Sequence, residues 1–138
     1  MSTRTQTVAA FLDACETGQG WDACREHCHD DAPFSAQADA LADVTTVEGY
    51  TAWMQGILQV LPDGEYELTA LAEDASRDRV VATAVFRGTH TAEGGPVAPT
   101  GRSTATEYAY VLRFDGDRID HLTKVWNDVH VMRELGWA

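Results

Sequence analysis

The spacing of apolar positions along the chain changes character once, near residue 62. Upstream of it the period is helical. Val8, Phe11, Leu12 and Cys15 recur at i, i+3, i+4 and i+7, which predicts a helix over 5–17 that the segment T-G-Q-G stops. A shorter helix is expected over 21–28, with Trp21, Cys24 and Cys28 on one face and Asp30-Asp31 ending it. A-P-F-S-A-Q then reads as a short strand, and the polar, Ala-rich residues 37–46 as a loop. Tyr50, Trp53, Met54, Ile57, Leu58 and Leu61 fall at helical spacing and place a third helix over 47–61, closed by the turn chemistry of Pro62-Asp63-Gly64.

Downstream the pattern is that of strands, over 65–73, 79–90, 103–115 and 118–127. D-A-S-R-D joins the first pair tightly, and Asp115-Gly116-Asp117 joins the last pair as a hairpin. Between the middle two lies T-A-E-G-G-P-V-A-P-T-G, a loop long enough to border a pocket mouth. A last short helix over 129–135 ends at Gly136. Helices first and antiparallel strands after give the α+β class. The expected architecture is a strongly curved, mostly antiparallel sheet packed against three N-terminal helices, a cone enclosing a pocket, in one domain spanning 1–138.

Alternation assigns the inner faces. On 79–90 the set Ala82, Ala84, Phe86, Gly88 and His90 points inward, and its small members leave room beside Phe86. On 103–115 the inner set includes Thr104, Thr106, Tyr108, Tyr110 and Leu112, with Glu107 and Arg113 marking the outside. Buried tyrosine hydroxyls need partners, which a polar ligand or water would supply. On the last strand both faces are mixed. Leu122, Lys124, Trp126 and Asp128 share the favoured one; Ile119, His121, Thr123, Val125 and Asn127 share the other.

Composition narrows the classes. Twenty-two acidic against 10 basic residues give a net charge of −12, with no basic cluster, so nucleic acid and anionic membrane surfaces are poor partners. No apolar run reaches the ~20 residues of a membrane span, and the first residues lack a signal-peptide core, so a cytoplasmic protein is expected. Cys15, Cys24 and Cys28 read as free thiols. Within C-R-E-H-C-H-D-D, helical spacing turns Cys24 and Cys28 to the core while His27 and His29 diverge, so no metal site is expected.

The candidate chemistry sits where the last strand enters the last helix. Trp126, Asn127 and Asp128 combine an aromatic wall with an amide and a carboxylate. Asp128 suits a general base beside an apolar wall, and equally suits an N-cap for the helix that follows. His90 could donate to a substrate oxygen or shuttle a proton, or bond locally at the loop entrance. Tyr108, Tyr110, Trp53, Phe86 and Lys124 are the other expected substrate contacts.

G-T-H-T-A-E-G-G-P-V-A-P-T-G-R over 88–102 resembles the G-T-H … P-T-G-[KR] segment of SnoaL-like polyketide cyclases, and the D-G-x-I-x-H … W-N-D … L-G-W run resembles that family's closing strand and helix. The resemblance implies the cone of the nuclear transport factor 2-like superfamily, a ligand cavity between sheet and helices, and homodimers through the open sheet face. It implies a carboxylate base near the end of the last strand, falling on Asp128 or, one residue earlier, replaced by Asn127. His90 and His121 are the candidates for an accompanying histidine. It also implies ring closure by intramolecular aldol chemistry without metal or cofactor, on a small hydrophobic or aromatic carbonyl-bearing ligand. The alternatives are a non-catalytic binder of such a ligand and a dimerisation or accessory domain.

Overall fold

The computed structural model describes residues 2–138. Helix α1 spans Thr3–Glu16, its free N-terminal amides capped by the Ser2 hydroxyl, which accepts from the Thr5 N–H at 3.1 Å. Its stripe of Val8, Phe11, Leu12 and Cys15 is fully buried. Helix α2 spans only Trp21–Cys24 and tightens into a 3₁₀ turn over Arg25–His27. The expected helix to residue 28 is therefore shorter, because Cys28 is already extended and bridges to Ile119. Both thiols are still buried. Helix α3 spans Val47–Val60, capped by the Thr46 hydroxyl on the Gly49 N–H. Residues 39–41, expected as loop, form a 3₁₀ turn.

Five strands follow the order β1-β5-β4-β3-β2, with β1 (Phe34–Ala36), β2 (Glu65–Asp74), β3 (Arg79–Thr89), β4 (Ser103–Asp115) and β5 (Arg118–Trp126). Only the β1–β5 pair is parallel. The sheet is curved and does not close into a barrel. Helix α4, Asp128–Leu135, follows β5 after one residue.

Two register shifts interrupt the ladders, one on β2 between Leu68 and Ala70 and one where β4 meets β5. In the second, Arg113 pairs with His121 and Phe114 with Ile119, leaving Asp120 as the extra residue of a bulge. Asp120 is held by the Arg113 guanidinium at 2.7 Å. The bulge explains why neither face of β5 is uniform in the sequence. Ile119 lies inward and fully buried, contrary to the simple alternation that places it with His121 and Val125. Past the bulge, Leu122 and Lys124 are buried while Val125 is 60% exposed.

The registers build the interior in rows. Ala82 on β3 faces Tyr110 on β4, which faces Lys124 on β5, which faces Ala36 on β1. In the next row, Ala84 faces Tyr108 and Tyr108 faces Trp126. Small side chains on β3 and large ones on β4 and β5 leave a gap beneath α3 and α4.

Candidate active site

That gap is a chamber of about 60 Å³, bounded by the end of α1, α3, α4 and the concave face of the sheet. Pockets for organic ligands commonly run ~300–1,000 Å³, so the chamber is narrow in this conformation. Two shallower depressions adjoin it. One, of about 530 Å³, shares Lys124, Trp126 and Asp128 with it. The other, of about 390 Å³ between α3 and the 93–96 loop, shares Trp53, Ile57 and Trp137.

Lys124 is the only lysine among the 138 residues; the other nine basic side chains are arginines. It is 5% exposed, and its ammonium lies 4.4–5.8 Å from the ring centroids of Tyr50, Trp53, Tyr108, Tyr110 and Trp126. Such distances place a cation within the attractive field of each ring face. The amine donates to the Tyr50 hydroxyl at 2.8 Å. Burial pushes the Lys124 pKa down to about 8, against the opposing pull of the Glu16 carboxylate and the Cys15 thiol.

Glu16, at the last position of α1, is 2% exposed and lines the same chamber. Its carboxylate accepts from Tyr110 at 2.5 Å and from Tyr108 at 2.9 Å. Burial raises its pKa, countered by Lys124 and by the two tyrosines. Burial and the Glu16 charge in turn push the hydroxyls of Tyr108 and Tyr110 well above the ordinary phenol value. An ammonium can only donate, and Tyr110 donates to Glu16, so the 2.5 Å bond between Tyr50 and Tyr110 runs from Tyr50 to Tyr110. The result is a one-way chain of hydrogen bonds from Lys124 through Tyr50 and Tyr110 to Glu16.

Asp128 is the first residue of α4, and 6% exposed. One carboxylate oxygen accepts from the Ala40 N–H at 2.9 Å, and the residue lines the chamber. The N-cap expected of Asp128 belongs instead to Asn127, whose amide oxygen accepts from the His130 N–H at 3.2 Å. Trp53, Phe86, Tyr108, Lys124 and Trp126 join Asp128 around the chamber. Asn127 faces only the outer depression, and Tyr110 stands behind the wall in the hydrogen-bond chain.

His90 lies elsewhere, fully buried behind Trp137. Its Nδ1 accepts from both the Thr100 N–H at 3.2 Å and the Trp137 indole at 3.0 Å. Trp137 reaches it because Gly136 takes a left-handed conformation (φ 76°) and the Trp137 N–H turns back to the Met132 carbonyl at 2.7 Å. The Thr100 hydroxyl donates to the Leu135 carbonyl at 2.7 Å. The G-T-H, P-T-G-R and L-G-W segments thus meet in space as a latch that fastens the 91–101 loop to the C-terminus. His121 sits on the convex face, 2.6 Å from the Ser35 hydroxyl.

Glu16 is the chamber residue that reading of the sequence missed. It continues the buried stripe of α1 at i+4 from Leu12, an acidic residue on an apolar face, and that was the available signal. The solitary lysine on the inner face of a strand was the second. The three cysteines are unpaired and buried, and burial drives Cys28 up to about 12. Among the described residues no three His, Cys, Asp or Glu side chains converge as metal ligands, and no helix is long and apolar enough to cross a membrane.

The family model described as SnoaL-like polyketide cyclase matches residues 6–135. The chain belongs to this family. Among solved structures, IdmH of Streptomyces antibioticus, a proposed polyketide cyclase, is similar at TM-score 0.80 with 24% identity, covering 96% of this chain and 98% of its own. AclR of Streptomyces galilaeus, a proposed hydroxylase, superimposes at 0.77 with 20% identity, covering 98% of this chain and 82% of that one. A proposed SnoaL-like polyketide cyclase from Jannaschia sp. CCS1 superimposes at 0.76 with 17% identity, covering 100% and 96%. These likenesses establish the nuclear transport factor 2-like fold. No curated protein matches the chain in sequence.

Proposed function

We propose that this protein is a polyketide cyclase or isomerase that acts without a cofactor on a small carbonyl-bearing substrate, with Asp128 as its general base. The observation that carries the reading is the placement of the Asp128 carboxylate and the Lys124 ammonium on one apolar, aromatic-walled chamber. The carboxylate would remove a proton from the carbon beside a carbonyl. The enolate oxygen so formed would be stabilised by a cation already desolvated and in place. Attack of that carbon on a second carbonyl of the same molecule closes the ring. With the amide of Ala40 holding one oxygen of Asp128, the other is left to reach substrate. A polycyclic substrate would have to displace part of the wall, and the flexible side chains of Met54 and Met132 are the parts suited to move.

A homodimer through the convex sheet face and a cytoplasmic location belong to the same reading. The exposed Val81 and Val125 on that face support the first, and the three unpaired thiols the second.

The test is exchange of the protons next to the carbonyl of aryl β-keto esters in deuterium oxide, followed by NMR. Wild-type protein should accelerate exchange, and Asp128→Asn should lose about 10²–10⁴-fold of that acceleration while still quenching tryptophan fluorescence on binding. Exchange that survives in Asp128→Asn would remove the aspartate from its role. Binding without exchange in the wild type would make the protein a carrier of such molecules.

A further inference from the structure

The Lys124 amine has a second chemical capacity besides charge. We propose that Lys124 is a covalent nucleophile that condenses with a substrate carbonyl, so that ring closure proceeds through an enamine held on the lysine. This rests on the reading of the chamber as a site for carbonyl compounds.

Three features of the geometry carry it. The chain has one lysine, and it is placed in the chamber instead of on the surface. Its nitrogen has a single hydrogen-bond acceptor, the Tyr50 hydroxyl, and no carboxylate within ion-pair distance among the described residues. An ammonium so sparsely solvated gives up its proton readily, which is what a Schiff-base lysine needs. Third, the one-way chain from Lys124 through Tyr50 and Tyr110 ends on Glu16, a buried carboxylate able to receive that proton. A concerted shift along the chain converts ammonium and carboxylate into free amine and carboxylic acid without a water molecule. Burial favours the same direction at both ends.

The step balances. The nitrogen lone pair bonds to the carbonyl carbon while the π pair moves to oxygen, and a proton passes from nitrogen to that oxygen. Glu16, which itself lines the chamber, returns the stored proton to the hydroxyl. Water leaves, giving a protonated imine and a carboxylate. Asp128 takes the adjacent C–H proton to form the enamine. The enamine carbon bonds to the second carbonyl, whose oxygen takes up the proton. Water then hydrolyses the protonated imine, releasing the ring and restoring Lys124 as the ammonium beside the Glu16 carboxylate. One water leaves and one enters, with no change of oxidation state overall.

The probe is pentane-2,4-dione, which forms a stable vinylogous amide with a free amine. Adducts are located by intact mass and peptide mapping at pH 7, and non-covalent binding is followed separately by saturation-transfer NMR. Only the α-amino group competes with Lys124, which serves as the internal reference. The expected result is an adduct of one diketone less one water on the Lys124 peptide. It should form at least about ten-fold faster than on Nα-acetyl-lysine amide, whose side-chain amine is deprotonated about 200-fold less at this pH. Glu16→Gln should slow that adduct about five-fold or more and leave the α-amine rate unchanged; an unchanged Lys124 rate would overturn the relay. Saturable binding with no Lys124 adduct would overturn the lysine chemistry and leave Asp128 catalysis standing. Neither binding nor adduct would sink both readings.

Discussion

The chamber and the latch beside it are built from the same kinds of residue and behave as opposites. In the latch, both donors that His90 meets converge on one ring nitrogen. That nitrogen ties the Thr100 backbone to the Trp137 indole, so the histidine acts as a fastener. In the chamber, Lys124, Tyr50, Tyr110 and Glu16 are arranged head to tail, and a proton can move along the line with every bond reversed but kept. Burial alone does not make a group reactive. What separates the two regions is whether the partners of the buried group can accept its proton.

The largest loss is expected at Glu16. Glu16→Leu removes the acceptor for two tyrosine hydroxyls and the counter-charge of Lys124, and should cost about 3–5 kcal/mol in urea unfolding. Adding Lys124→Met removes the stranded charge, and the double variant should recover about 1–3 kcal/mol relative to Glu16→Leu alone. Strict additivity would mean that the two ends of the chain are not coupled.

A smaller effect is expected with pH. The folded-state pKa of Lys124, about 8, lies below that of a lysine in the unfolded chain. Between about 8 and ~10.4 the unfolded chain therefore binds the extra proton, and the contribution of Lys124 to stability rises with pH through that window. Wild type should gain about 2 kcal/mol on Lys124→Met between pH 8 and 10. A difference independent of pH would place the amine in an ordinary environment.

In the latch, His90→Phe leaves two buried donors without an acceptor and should cost about 1–3 kcal/mol. Amide hydrogen exchange should rise in residues 91–101 and at the C-terminus, with the Lys124 adduct rate little changed. A fall in that rate matching Glu16→Gln would join the two regions into one device. The smallest effect belongs to Asn127→Ala, about 1 kcal/mol from loss of the helix cap, with exchange chemistry intact.

Much of the fold could be read from spacing because the inner faces of β3 and β4 alternate without interruption and the stripes of α1 and α3 keep helical period. Two places resisted. Beyond Cys24 the helical spacing of Cys28 persists although the backbone has already extended, because both conformations turn that thiol inward. At residues 127 and 128 a carboxylate and an amide are equally good caps, and only the Ala40 N–H, distant in sequence, draws Asp128 away from capping. The resemblance drew attention to G-T-H and L-G-W, which fold into the latch. Glu16 and Lys124 carry no motif, and their meeting is a product of tertiary structure alone.

The bulge at Asp120 has a bearing on how such a chamber could diversify. It shifts the phase of β5 by one residue, so that Lys124 and Trp126 face inward while His121, Thr123 and Val125 face out. Displacing the bulge beyond Trp126 would instead pair Asp120 with Arg113 and turn the second set to the same cavity: an imidazole, a hydroxyl and an isopropyl group in place of an amine and an indole. Deleting Asp120 outright would leave Lys124 and Trp126 inward, because Ile119 and His121 already pair with consecutive residues of β4. Within this architecture, new chemistry can arise by a change of frame as well as by point mutation.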